Sequence, residues 1–171
     1  MDFTDLGLSV VGAFYAFAGV VAARSGLMSR MLDKTIAAIG GERASAAETA
    51  RALWMVCASI VILAGGVALM LRTGLAAWLF TISALAQGLY LGLIAPRYLD
   101  PADPPDAAGR KQTTNAFVIY LAATAFVLWA HATGRLVDWH MLPWPLVPVA
   151  VCAIGVFAGY ALLTFFNPTA K

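Results

Sequence analysis

Charge is what this sequence has least of. Its 171 residues include 11 Lys and Arg and 9 Asp and Glu, so 12% are charged against 61% apolar, about half the charged fraction of an ordinary soluble domain. With a mean hydropathy of +0.81 the chain has too little polar sequence to clothe a water-soluble globule and too much apolar sequence to stay disordered. Cysteine is equally scarce. Cys57 and Cys152 fall near opposite ends of the expected helices, which excludes a bond between them, and they read as small packing residues. The two histidines, His131 and His140, show no zinc-type spacing, and only one lies in an apolar run, short of the facing pair that a membrane haem takes. No metal, no cofactor and no nucleic-acid partner is therefore expected.

What the sequence has instead is five long runs without Asp, Glu, Lys or Arg: 6–23, 52–71, 75–95, 116–133 and 145–166. Each is long enough to cross a hydrocarbon core as helix, which takes about 17 to 25 residues. They are apolar on every face, whereas barrel strands are shorter and alternate in polarity. The prediction is an all-α integral membrane protein, one membrane domain over 1–171, built as a five-transmembrane helix bundle. The acidic start, Met1 to Asp5, lacks the basic region of a secretory signal, so the first run is expected to stay.

Basic residues set the expected orientation. Arg24, Arg30, Lys34, Arg43 and Arg51 follow the first run, Arg97, Arg110 and Lys111 follow the third, and Lys171 ends the chain. Only Arg72 and Arg135 fall on the other side. The positive-inside rule then puts the N-terminus outside and the C-terminus in the cytoplasm of a bacterial inner membrane. Trp78, Trp129, Trp139 and Trp144 gather at the outer face in this frame and Trp54 at the inner one, as interfacial indoles do.

Between the runs, Met28, Met31, Leu32, Thr35, Ile36 and Ile39 recur at helical spacing, which predicts a short cytoplasmic amphipathic helix over 28–39 lying on the inner leaflet and stopped by Gly40 and Gly41. Ser45 and Glu48 fit a capping box that starts the second helix before Ala52. The segment from Pro96 to Asn115 carries Asp100, Asp103 and Asp106 among three prolines and reads as a solvated connector rather than a cation loop.

No charge lies inside a run, so the side chains that usually mark proton relays are missing and secondary active transport drops down the list. Neutral polar groups remain. Thr113, Tyr120, Thr124 and His131 fall in one sector of the fourth helix. Gln87 and Tyr120 come out about 18 and about 20 Å below the outer boundary, which predicts a hydrogen bond from Gln87 to Tyr120 or Thr124. Gln87, Tyr90, Tyr120, Thr124 and His131 are the candidate ligand lining; no residue is assigned as catalytic. Gly88, Gly92, Gly155 and Gly159, with the stripe Gly12, Ala16, Gly19 and Ala23, are candidate helix-packing positions, within the bundle or against another chain.

The leading expectation is a non-enzymatic accessory or scaffolding subunit of a larger membrane complex. Its partners would be membrane lipids and other integral subunits or a second copy. The alternative is a binder or transporter of an apolar small molecule, a lipid or quinone, along the Gln87, Tyr120, Thr124 and His131 line. A membrane enzyme using His131 or Cys152 comes last.

Overall fold

The structure is a computed structural model that describes residues 2–40, 46–100 and 107–167. Among these it holds five helices long and apolar enough to cross a membrane, and no strand. They are α1 (Phe3–Gly40), α2 (Ala46–Met70), α3 (Leu75–Leu89, prolonged as a π-helix through Tyr90–Leu99), α4 (Ala107–Ala132) and α5 (Leu146–Phe166). The chain is a multi-pass all-α membrane protein. The start of α1, the α2–α3 turn and the α4–α5 loop share one end, called proximal here, and the opposite end is called distal.

The amphipathic segment 28–39 is helical, but as the last third of α1 and not as a separate element. One continuous helix of 38 residues measures about 57 Å at 1.5 Å per residue, against a hydrocarbon core of about 30 Å. Nothing between Ala23 and Met28 breaks it, since Gly26 alone is only weakly unfavourable in a helix. Gly26 is also buried against α2, where a Cβ would stand 3.1 Å from Val56. The helix is described through Gly40; Gly41, the second residue of the expected stop, lies outside the described residues. The Ser45 cap lies outside the described residues, while α2 is already helical at Ala46, ahead of the apolar run.

α1 and α2 share the most extensive interface in the bundle. The small stripe of α1 makes it possible: a Cβ on Gly12 would lie 2.8 Å from the Met70 nitrogen, and one on Gly19 would lie 2.7 Å from the Leu63 nitrogen. From the other side, a Cβ on Gly66 would come within 2.3 Å of the Ala16 nitrogen. Without a hydrophobic drive between helices in lipid, such backbone proximity supplies the dispersion contacts that hold them together.

Two apolar clusters follow. The proximal one joins α1 to α4 through Leu8, Tyr15, Leu69, Phe80, Tyr120 and Val127. The distal one joins Leu27 of α1, Ala52 and Val56 of α2, and Ala161 and Phe165 of α5. There Arg30 donates to the Thr49 hydroxyl at 2.8 Å and lies over the Phe165 ring at 5.4 Å, tying three helices. The buried residues of α5, Ala161 and Phe165, both lie at this end.

The proximal loops are zipped to one another. The Gly74 amide donates to the Val137 carbonyl at 2.9 Å and the Val137 amide to the Arg72 carbonyl at 2.8 Å. Arg72 pairs with Asp5 at 3.1 Å and Arg135 with Asp2 at 3.4 Å. Arg72 holds a left-handed φ of 54° just past α2. The Thr73 amide reaches back to the Ala68 carbonyl there, the helix-ending pattern usually given to glycine. Gly134 plays that part after α4 with φ 70°.

Candidate functional site

A cleft of about 710 Å³ opens between α1, α2, the end of α3 and the distal half of α4. That volume falls within the usual range of small-molecule sites, about 300 to 1,000 Å³. Its walls are built by three local causes.

The first is an aromatic plug. Tyr15, Phe80 and Tyr120 meet with ring centroids 5.2 to 5.4 Å apart. Phe80 stacks on Tyr120 at 9°, while Tyr15 stands edge-on to both. Such ring pairs add about 0.5 to 1.5 kcal/mol each beyond the area they bury. They close the proximal end of the cleft.

The second is the π-helix. Pro96 has no amide hydrogen and its ring would strike the carbonyl four residues back, so the turn widens over Tyr90–Leu99. The Asp100 amide then donates to the Ala95 carbonyl, five residues back, at 2.9 Å. This prolongation sets the Tyr90 ring flat on Trp54 of α2, with centroids 4.7 Å apart, and both rings line the cleft.

The third is the divergence of α4. Residues 110–116 are all exposed, and its burial begins with Phe117 and Tyr120. Phe14 of α1 and Ile119 of α4 line the cleft yet remain 59% and 63% exposed, so the cleft opens sideways, toward lipid, between these two helices.

The wall is mostly apolar, from Phe14, Ala18 and Ala22 on α1, Met55, Ala58 and Ile62 on α2, and Leu91 and Phe117 opposite. Polar groups gather at the distal mouth. Arg51 pairs with Asp100 at 3.2 Å, and Arg110 pairs with the other oxygen of the same carboxylate. The Asp100 side chain keeps only 14% exposure and that of Arg110 keeps 52%. Of the segment read as a solvated connector, Asp100 is thus ion-paired to α2 and α4, while 101–106, with Asp103, Asp106 and the three prolines, lie outside the described residues. No group of three or more His, Cys, Asp or Glu that could hold a metal occurs among the described residues.

Of the sequence candidates, Gln87, Tyr90 and Tyr120 line the cleft. Thr124 does not: it is buried above the aromatic plug, where its hydroxyl donates to the Tyr120 carbonyl at 2.9 Å. His131 is exposed at the proximal end of α4, where a Cβ on Gly74 would meet it at 3.3 Å. The polar stripe is real as a helix face, but the three rings cut it in two. Gln87 donates not to Tyr120 or Thr124 but to Ser83, at 2.9 Å. A serine one turn away on the same helix outcompetes a partner across the interface. Replacing Gln87 by leucine is expected to cost about 0.6 kcal/mol of stability in a detergent unfolding titration.

The glycine candidates divide as well. A Cβ on Gly88 would meet Phe117 at 3.3 Å, whereas Gly92, Gly155 and Gly159 have nothing within 4 Å. Cys57 and Cys152 both lie on exposed faces, not in the packing positions expected for them. The mouth residues Arg51, Asp100 and Arg110 were missed because charges beside an apolar run usually mean headgroups. Pro96, which extends α3 far enough to bring Asp100 to them, was the available signal. No family model matches the chain, and neither a curated protein nor a solved structure is found to resemble it.

Proposed function

We propose that the protein binds a membrane-borne amphiphile, of lipid or quinone type, in the cleft and is not itself an enzyme. The carrying observation is the cleft's polarity: an apolar wall ending in an aromatic plug at one end and in three ion-paired residues at the other. Its sideways opening suits a ligand that arrives through the bilayer. Gentle extraction in neutral detergent and mass spectrometry of the intact protein test this. The expected result is one bound amphiphile per chain; repeated isolation of a ligand-free protein from its native membrane overturns the reading.

A second reading, an accessory subunit docking other integral membrane proteins, is favoured by α5, whose buried residues both lie at its distal end and which leaves Gly155 and Gly159 uncovered. The same spectra decide it, since a stable lone monomer counts against it. The charge asymmetry supports a bacterial inner membrane with the proximal end outside and the distal end in the cytoplasm. A C-terminal reporter should then be active in the cytoplasm; activity only in the periplasm reverses the orientation.

A further inference from the structure

We infer that the ligand of the cleft carries an uncharged hydroxyl group at its inner end, and that Gln87 recognises it. This deepens the cleft reading and rests on it. Gln87 lines the cleft, about 10 Å of helix rise beyond Phe80 of the aromatic plug. Its neighbour Gly88 abuts Phe117, which puts Gln87 in the inner half, nearer the plug than the mouth. The amide has two N–H donors and a carbonyl oxygen. One N–H goes to the Ser83 hydroxyl at 2.9 Å. Among the described residues no donor is bonded to the carbonyl oxygen. Nor is that oxygen sealed in the packing, since the one buried side-chain nitrogen or oxygen without a partner, among the described residues, is Arg30 Nε. The Ser59 hydroxyl, also in the wall, donates to the Met55 carbonyl of its own helix. The inner cleft thus presents an open acceptor and one further N–H, where Ala18, Ala58 and Phe117 also line it.

Those two groups define the chemistry of the ligand's inner end. An acceptor left unmet away from water is costly, and a ligand that fills the cleft displaces the water that would otherwise serve it. The ligand must then bring the donor itself. A hydroxyl donates to the carbonyl and accepts from the remaining N–H through a single atom, whereas an ether, an ester or a ketone only accepts. Charge does not suit this depth. Among the described residues the charged groups lining the cleft are Arg51, Asp100 and Arg110, all at the distal mouth, and an unpaired charge near mid-membrane is expensive. The ligand class is therefore an apolar molecule ending in a neutral hydroxyl.

The test compares dodecan-1-ol with its methyl ether, which keeps the acceptor and loses the donor. Both are bound to the full-length protein in phosphatidylcholine nanodiscs, with affinities read by native mass spectrometry. The two probes partition differently into the bilayer, so the readout is the alcohol-to-ether affinity ratio of the parent divided by that of Gln87→Leu. It should be about tenfold, equivalent to about 1.4 kcal/mol for a buried acceptor that regains its donor. Ether binding should be the same in parent and variant, which also shows that the variant keeps its cleft. An unchanged ratio overturns the hydroxyl inference and leaves the cleft reading standing. Equal weakening of both probes overturns it as well, because Gln87 then shapes the wall without recognising the hydroxyl. Absence of binding by either probe to the parent overturns the cleft reading itself.

Discussion

Gly66→Val is expected to be the most damaging single substitution in the bundle, at or beyond the upper end of the roughly 1 to 3 kcal/mol that overpacking usually costs. The reason is what a new Cβ would meet: the Ala16 nitrogen at 2.3 Å and the Gly12 oxygen at 2.7 Å. Both are backbone atoms of a helix, so no rotamer change relieves the clash and α1 must move away from α2 as a unit. That separation would loosen every other close contact on the stripe, including those of Gly12 and Gly19. Unfolding in detergent, followed by circular dichroism, reads the loss. Gly159→Val is the control, because nothing lies within 4 Å of the Cβ it introduces; it should stay within about 0.5 kcal/mol of the parent protein. Equal stability of the two variants would mean that α1 and α2 do not meet as described.

Ala58→Trp should remove the bound amphiphile. Ala58 lies on α2 in the wall of the cleft and is only partly buried, so an indole there has open volume to occupy and little packed structure to displace. Ligand content should fall at least about tenfold, since a filled site loses the whole of its apolar contact with the tail. Val156→Trp, placed on α5 where Val156 is 74% exposed, should leave ligand content unchanged. Ala22→Phe enters the same space from α1 and guards against a folding defect particular to Ala58. Full ligand retention in both cleft variants would place the amphiphile elsewhere on the protein.

These two substitutions differ because small residues serve two purposes here. At Gly66 the missing side chain is filled by a neighbouring backbone. At Ala58 it leaves a space that no other described residue fills. Sequence cannot separate the cases, since both read as small residues in an apolar run, and the same ambiguity covers Gly88 against Gly92.

Five apolar runs free of charge determined five membrane helices, because hydrophobic length against a fixed bilayer thickness is a property of the chain alone. The same runs misplaced the helix ends. Hydropathy marks where the hydrocarbon stops, whereas helix continues through Arg24, Arg51 and Arg110 into the headgroup region and beyond, as long as no residue breaks it. The face of α4 carrying Tyr120 and Thr124 was also legible from spacing, and both are buried. Which of those residues line the cleft was decided by tertiary structure. Tyr15, Phe80 and Tyr120 come from three helices, and only their convergence turns one polar stripe into a lined cleft below and a packed core above. The ion-paired mouth likewise needed Pro96 to widen the end of α3 and bring one carboxylate between two arginines far apart in sequence. Charge scarcity therefore fixed the solvent and the number of crossings, and three of the few charges that remain meet at the cleft mouth only because the fold gathers them.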